Sequence, residues 1–392
     1  MAIDDQLRQA KTARIAVSTA FFVLGVTAGF WFVHIPVVAQ RLSLDPASLG
    51  LVLLCLGIGS LLFQPVSGLL LQKYGSKPAA ILSQLSTLIL VATAINAESI
   101  STLALVLFGT GAMLGATNVS INTQGALVEK RLARPVMSSF HGFFSVGTFT
   151  AAGLGGLVIS LGFGDGLGAI ALALILTPIV LLAGARFLST TSEDKQERDQ
   201  KRAPSGRWMR TLTLPLFLIM VLAFLGNAAE FSVNDWSALF LHEVKGMSLA
   251  WSVSGFAVFS LAMATIRFFG GPIVSKLGVQ KTLTLGGGLI ATGMSLVVLS
   301  PWPPGSVIGF FIMALGLANN SPLLVSQAAK LPGIAPSIGV SAIATGLTSG
   351  FLLAPPIIGL VADAFGLPFA FGAIAGIGLV ILTLTRSLSW QD

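Results

Sequence analysis

Long apolar stretches separated by short polar segments follow one another along the whole chain. A membrane-spanning helix needs about 20 mostly apolar residues, and the sequence divides into twelve stretches of that kind. We number them as spans 1 to 12 and predict them at Ile15–Ala39, Ser48–Leu71, Pro78–Ala97, Thr102–Val128, Val136–Leu161, Leu167–Leu188, Leu214–Leu241, Leu249–Ser275, Thr282–Leu299, Ser306–Ala329, Ile338–Ala362 and Pro368–Leu388. The pattern therefore predicts an all-α membrane protein with twelve transmembrane helices.

One polar stretch is longer than the others and lies near the middle of the chain. It covers residues 189–211 and contains the mixed-charge run Ser192–Arg202, a composition typical of a solvated linker. Six predicted spans precede it and six follow. We therefore expect an N-terminal six-helix half at 1–188, a cytoplasmic linker at 189–211 and a C-terminal six-helix half at 212–392.

The basic residues indicate how the spans are oriented. If the N-terminus is cytoplasmic, all but three of the 22 lysines and arginines fall in cytoplasmic segments; the exceptions are Arg41, Lys245 and Arg267. Short cytoplasmic loops of membrane proteins carry this excess of positive charge. Met1–Arg14 is polar, and the apolar run after it is long enough to span, so we expect a short cytoplasmic leader. The predicted location is a bacterial inner (cytoplasmic) membrane, with both termini in the cytoplasm.

Composition excludes several other classes of protein. The chain is 54% hydrophobic and only 9% charged, which excludes an ordinary soluble domain. Its net charge of +7 is scattered between apolar segments, so we expect no nucleic-acid partner. The one cysteine, Cys55, allows no disulfide framework. Since no metalloprotease, hydrolase or phosphate-loop motif occurs, we expect no enzyme, no metal, no cofactor and no use of ATP.

The two halves share sequence features at a constant distance. Shifting the chain by 203 residues places Gly68–Lys77 on Gly271–Gln280, with glycine, lysine and glycine coinciding. The same shift places Gln124 on Gln327, Gly147 on Gly350, and Gly156 on Gly359. Six plus six helices related in this way predict two parallel repeats about an axis along the membrane normal.

Two segments resemble a known family. Gly68-Leu-Leu-Leu-Gln-Lys-Tyr-Gly-Ser-Lys-Pro is similar to the loop signature of the major facilitator superfamily, except that Gln72 stands where the signature has aspartate. Ser139–Gly147, with its Phe-His-Gly, resembles the fucose-permease-like branch, which includes sugar–proton symporters. The resemblance implies alternating access by two six-helix halves that rock about a midplane site. It implies gating by residues of these segments, namely Gly68, Gln72, Lys73, Gly75 and His141. With Gln72 in place of aspartate, the latch is expected to be weaker or differently made, and the alternative role of Lys73 is that of a topogenic charge.

The resemblance also implies that spans 1, 4, 7 and 10 line a central cavity. Polar groups in an apolar solvent are costly unless they face a cavity or one another. The polar and aromatic residues of these spans, together with Arg267 of span 8, are the predicted substrate-binding set: Trp31, Asn118, Asn122, Asn227, Asn234, Arg267, Asn319, Asn320 and Gln327. Carboxamides pair with hydroxylated solutes at no charge cost, which favours a small polar solute such as a sugar.

Proton coupling requires an ionisable group at membrane depth, and Glu230 is the first candidate, followed by His34 and Asp235. Glu230 either exchanges protons or pairs permanently with Arg267. Arg267 in turn either binds the solute or pairs with a carboxylate to stabilise one state. Asp235 is expected in a solvated vestibule near the outer surface, and His34 is either a pH-sensitive gate or a capping or interfacial residue. The halves adjoin at spans 5 and 8 in the family, so His141 lies near Arg267 or hydrogen-bonds a neighbouring helix.

The function predicted from these features is proton-coupled symport of a small polar solute by a monomer in the lipid bilayer. A proton-driven drug or metabolite exporter is the nearest alternative, although Ala151–Gly156 lacks the proline of the exporter signature. A non-transporting membrane sensor is a further alternative, but it would be expected to carry an additional soluble domain.

Overall fold

The structure is a computed structural model that describes residues 2–134, 136–164, 166–189, 212–388 and 390. Within this part of the chain, twelve helices are long and apolar enough to cross a membrane, and no strand occurs. They are Leu7–Arg41, Pro46–Tyr74, Ser76–Ile95, Ile100–Leu132, Met137–Ser160, Leu167–Ala185, Leu214–Glu243, Leu249–Phe269, Gly271–Leu299, Pro303–Ala329, Pro336–Phe365 and Leu367–Ser387. The predicted all-α fold with twelve spans is confirmed.

Several helices are arranged differently from the predicted spans; span 8 ends at Phe269 rather than Ser275, and span 9 begins at Gly271 rather than Thr282. The first helix runs over Ala2–Arg41 and includes most of the expected leader, because residues 2–14 contain neither glycine nor proline to end it. Span 10 consists of two helices, Pro303–Leu317 and Asn320–Ala329, where the sequence predicted one. Most of the predicted linker, residues 190–211, lies outside the described residues.

The internal repeat is visible in the backbone at two glycines. Gly75, between spans 2 and 3, has φ 87° and ψ 164°. Gly278, which lies 203 positions later and interrupts the helix Gly271–Leu299, has φ 76° and ψ 167°. A side chain is strained at such positive φ values, so both turns require glycine. The chain therefore makes the same turn after span 2 and, in the second half, before the main part of span 9.

The described residues divide into two compact units. The first comprises the described residues up to position 189 together with Ser248–Val253, and the second comprises the remainder. In the first unit, span 1 packs against span 5, span 2 against span 4, and span 3 against spans 4 and 6. In the second unit, span 7 packs against span 11, span 8 against span 10, and span 9 against spans 10 and 12. Each unit therefore repeats one packing scheme. The domain limits at 188 and 212 stay predictions.

Glycine sets the closest helix contacts in both units. A Cβ atom on Gly147 of span 5 would lie 2.2 Å from the carbonyl oxygen of Phe22 in span 1. A Cβ atom on Gly350 of span 11 would lie 2.6 Å from the carbonyl oxygen of Phe224 in span 7. Small residues let the backbones of membrane helices approach this closely, so these helices gain dispersion contacts in place of a hydrophobic driving force.

Two basic residues cap helix ends on the predicted outer side. Arg41 donates through Nη2 to the carbonyl oxygen of Ile95 (2.6 Å), and Lys245 donates through Nζ to that of Val298 (3.0 Å). Arg41 also donates to the carbonyl oxygen of Ala97 (2.9 Å), and Lys245 also donates to that of Ser300 (2.8 Å). The last carbonyls of a helix lack partners and carry partial negative charge, which attracts cations. This contact gives a structural reason why these two cations depart from the predicted cytoplasmic excess of positive charge.

Candidate functional site

An ion pair joins spans 7 and 8 within the second unit. Arg267 Nη2 lies 3.1 Å from Glu230 Oε1, and each side chain is 16% exposed. Glu230 is on the face of span 7 that also carries Asn227 and Asn234, since these residues recur at helical spacing. Charges this far from water are costly alone, and pairing offsets much of that cost. The structure thus brings together the two charged groups that the sequence offered as candidates.

Two helix interruptions lie beside each other next to this pair. Span 8 ends as a helix at Phe269, and Gly270 follows. Span 10 is interrupted between Leu317 and Asn320. The Asn319 carboxamide fills the space beside Gly270, because a Cβ atom there would lie 3.0 Å from Asn319 Oδ1. Both interruptions are local, because the backbone at Gly270, Ala318 and Asn319 keeps right-handed helical φ and ψ values. The prolines that follow, Pro272 and Pro322, each lack a backbone N–H, and polar backbone at membrane depth is where transporters can bind a solute or an ion.

The neighbouring carboxamides hold the spans that surround the pair. Asn227 Nδ2 donates to the carbonyl oxygen of Leu347 at 2.6 Å and ties span 7 to span 11. Asn320 is buried, and its Nδ2 faces Leu222 O at 3.5 Å. Gly226 leaves the room for Asn320, because a Cβ atom would collide with Nδ2. These two amides therefore contact backbone. The other predicted residues of this unit, Asn234 and Gln327, are half-buried and buried respectively.

Asp235 is not the solvated vestibule residue that the sequence suggested. It is only 5% exposed, and within the described residues its carboxylate makes no hydrogen bond or ion pair. The expectation was wrong because all residues from 235 to 241 are buried, so the C-terminal third of span 7 is enclosed on every side. Distance from the helix centre did not reveal this packing.

The candidates on span 1 are also enclosed. His34 is fully buried, and its Nδ1 lies 2.7 Å from the carbonyl oxygen of Phe30. An interfacial or capping position for His34 is therefore wrong, because the ring packs inside the protein beside Gly155 of span 5. Trp31, three residues earlier, is 3% exposed. His34 Nε2 and Trp31 Nε1 have no hydrogen-bond partner in the described part of the chain.

Asn118 and Asn122 of span 4 lie on one helix face, as their spacing predicted. Asn122 Nδ2 donates to the backbone oxygen of Asn118 at 2.9 Å and also to its Oδ1. Asn118 is exposed in the structure and Asn122 is half-buried. The two carboxamides therefore form one polar patch with hydrogen-bonding capacity remaining on Asn118.

The predicted gating residues lie at the turn after span 2 and in span 5. Gly75 has the positive φ described above, and the exposed Lys73 places its Nζ 5.1 Å from the ring centroid of Tyr74. Gly68 and Gln72 are half-buried on the same helix. His141 is exposed on span 5, with its ring edge-on to Phe21 at 5.1 Å between centroids. The geometry shows that the turn at Gly75 recurs at Gly278, and the gating role of these residues stays a prediction.

Sequence reasoning missed one buried polar connection in the first unit. Gln124 donates through Nε2 to Ser76 Oγ and to the carbonyl oxygen of Leu188, both at 2.8 Å. Its Oε1 accepts from the backbone N–H of Leu188 at 2.9 Å. The match of Gln124 to Gln327 in the repeat was the available signal. This residue connects span 4 to the start of span 3 and to the segment that follows span 6.

Comparison with known proteins agrees with this architecture. Residues 16–338 match the model of the Major Facilitator Superfamily. The chain is 34% identical over 375 residues to an uncharacterised MFS-type transporter of Yersinia pestis, an alignment that covers 95% of this chain and 94% of that protein. The chain therefore belongs to the Major Facilitator Superfamily. It is a multi-pass membrane transporter and not an enzyme.

Two solved structures and one further curated protein are also similar to this chain. A mutant of the nucleoside transporter NupG superposes with a TM-score of 0.74 at 16% identity, covering 96% of this chain and 99% of that one. A variant of the E. coli fucose:proton symporter FucP superposes with a TM-score of 0.65 at 18% identity, covering 96% and 98%. The Fosmidomycin resistance protein of Escherichia coli is 27% identical over 352 residues, covering 84% and 80%. The structural likenesses show the fold.

Proposed function

We propose that this protein is a proton-coupled symporter of a small polar solute, acting as a monomer in a bacterial inner membrane with both termini in the cytoplasm. The observation that carries the proposal is the ion pair of Glu230 and Arg267 beside the interrupted spans 8 and 10. Among the described residues, Glu230 is the one of the three predicted proton-coupling residues that forms an ion pair, and its partner is Arg267 of the same unit. His34 and Asp235 remain secondary candidates.

The pair provides a physical route from proton to solute. Protonation of Glu230 removes its charge and weakens its hold on Arg267. The guanidinium keeps its charge and its planar set of donors, so a solute can then compete for it. Deprotonation of Glu230 restores its competition with the solute for Arg267. A proton shifts the balance between states only by its different affinity for them, and this exchange of partners at Arg267 supplies such a difference.

Asn319 extends this arrangement. Its carboxamide lies at the contact between the two helix interruptions, with one oxygen acceptor and one NH₂ donor group. A solute bound by Arg267 would therefore meet neutral hydrogen-bonding groups one helix away. This combination of one exchangeable cation and neutral amides supports a polar solute over a lipophilic one.

The test begins by finding a solute and then separates coupling from binding. Purified protein is screened by thermal shift against sugars, nucleosides, organic acids and drugs, and the solute that stabilises it is used in proteoliposomes. A pH gradient should drive accumulation by the wild type. Glu230→Gln should lose that accumulation but retain solute counterflow, because exchange needs no net proton movement. Glu243→Gln, which changes an exposed carboxylate at the end of the same helix, is the control.

Accumulation by Glu230→Gln at the wild-type rate and with the wild-type pH dependence would refute the coupling assignment. Flux is expressed per reconstituted molecule, so that lower yield of a variant is not read as lost coupling. Loss of counterflow together with accumulation would move Glu230 from coupling to binding.

A proton-driven exporter is the second candidate, favoured by the likeness to the Fosmidomycin resistance protein. The same vesicles distinguish the two functions. A symporter accumulates solute on the side to which protons flow, whereas an antiporter moves it against the proton flow.

A further inference from the structure

Two unpartnered polar atoms lie one turn apart on span 1. Trp31 is 3% exposed and His34 is fully buried. Neither the indole Nε1 of Trp31 nor the imidazole Nε2 of His34 has a hydrogen-bond partner among the described residues. Residues three apart on a helix are neighbours, with Cβ atoms about 5–6 Å from each other. A buried polar atom without a partner is costly, so two at one place require an explanation.

The chemistry of the two atoms is complementary. Nδ1 of His34 lies 2.7 Å from the carbonyl oxygen of Phe30, and a carbonyl only accepts, so Nδ1 carries the proton. In a neutral ring, Nε2 is then an acceptor. The indole nitrogen of Trp31 is a donor only. The helix face therefore presents one donor and one acceptor.

We propose that Trp31 and His34 form a subsite for one neutral hydroxyl group. A hydroxyl can accept from Trp31 and donate to His34 at the same time. A carboxylate has no proton to donate to His34, and an ammonium has no lone pair to accept from Trp31. The subsite therefore selects hydroxyl over either charged group, and it can be occupied by a hydroxyl of the solute or by a water molecule.

Other unpartnered atoms in the described part of the chain lack this arrangement. Trp236 Nε1 and Ser237 Oγ are also buried without partners, but consecutive residues on a helix point in different directions. Ser254 Oγ is on another span. The spacing of Trp31 and His34 is thus what makes a single shared ligand possible.

The inference rests on the proposed function where it concerns the solute, since it adds a hydroxyl to the chemistry of that solute. Its test does not depend on proton coupling. The hydrogen bonding of the Trp31 indole is read by ultraviolet resonance Raman spectroscopy, as the spectrum of the wild type minus that of Trp31→Phe. Trp31→Phe removes the N–H but keeps an aromatic ring. Spectra are recorded without solute and with myo-inositol, a neutral polyol, as the probe.

We expect the difference spectrum to show a hydrogen-bonded indole, and His34→Leu to abolish that signal. His34→Gln, whose carboxamide oxygen can accept, should restore it. A signal unchanged by the polyol identifies water as the source of the hydroxyl, and a signal that the polyol alters identifies the solute. An indole free of hydrogen bonds in both solutions overturns the proposal, as does a signal that is independent of His34.

Affinity gives a second readout if the polyol binds. Trp31→Phe and His34→Leu should each weaken binding about fivefold, the effect of one lost hydrogen bond. The double variant should weaken binding by less than the product of the two single effects, because two bonds to the same hydroxyl depend on each other. Multiplied effects in the double variant would contradict a shared ligand. Glu230→Gln should leave the Trp31 signal unchanged, so failure of proton coupling and failure of this subsite are distinguished.

Discussion

The ion pair in the second unit makes a prediction about stability that is independent of transport. Three variants test it: Glu230→Gln, Arg267→Gln and the double substitution. Each single change leaves a charged partner in apolar surroundings, whereas the double change leaves two neutral amides of similar size. Removing one member of a buried pair is strongly destabilising, while replacing both is often close to neutral. We therefore expect the double variant to be more stable than either single variant.

The geometry of the ion pair gives the size of the expected change in unfolding free energy. At 3.1 Å, with an effective dielectric constant of about 20, the attraction is about 5 kcal/mol before desolvation. Since each side chain is 16% exposed, water screens part of the charge that is left behind. We expect each single variant to lose about 2–4 kcal/mol of unfolding free energy. The double variant should remain within about 1 kcal/mol of the wild type.

Reversible unfolding in mixed detergent micelles measures these free energies, and Glu243→Gln is the control for an exposed carboxylate. If the losses of the single variants simply add in the double variant, the two residues are not coupled and the pair contributes nothing.

Two further predictions concern helix packing and capping. Gly147→Val should greatly reduce the yield of folded protein, because the new Cβ atom would lie 2.2 Å from the carbonyl oxygen of Phe22. Gly153→Val is the control and should be tolerated, because a Cβ atom at Gly153 would have no atom within 4 Å. Equal yields of the two variants on size-exclusion chromatography would contradict the close contact. Arg41→Gln should lower the unfolding free energy by about 0.5–1 kcal/mol, because it removes a cation from a helix C-terminus. Arg8→Gln is the control for the loss of an exposed arginine. If the two variants lose the same unfolding free energy, the cap at Arg41 does not stabilise the protein.

The number and position of the spans were predictable because the bilayer imposes a simple requirement on sequence. Each span must offer about 20 apolar residues, and this pattern depends on no tertiary contact. The repeat was predictable for a similar reason, since the turns at Gly75 and Gly278 both need glycine. These features follow from local sequence.

The interruptions could not be predicted in this way. Proline is the usual signal, and Pro272 and Pro322 do follow the ends of helices in spans 8 and 10. Five other prolines, however, lie inside helices that continue: Pro36, Pro65, Pro178, Pro355 and Pro356. Whether a helix breaks depends on which neighbouring groups compensate the missing hydrogen bond. That is a property of packing.

In the candidate site, too, the features that follow from local sequence were predictable and those that depend on packing were not. Helical spacing placed Asn227, Glu230 and Asn234 on one face, and placed Asn118 with Asn122. It could not give the rotation of span 7 relative to span 8, on which the contact of Glu230 with Arg267 depends. Nor could it show that Asp235 is enclosed, because burial there comes from helices distant in sequence.

The ion pair also bears on how the protein enters the membrane during synthesis. A lone carboxylate or guanidinium costs about 2.5–3.5 kcal/mol when a helix partitions from the translocon into lipid. Spans 7 and 8 are consecutive, and only residues 244–248 connect them. They can therefore leave the translocon as a hairpin whose two charges already neutralise each other. A substitution at either position would then act first on biogenesis, lowering the amount of inserted protein before any solute is bound.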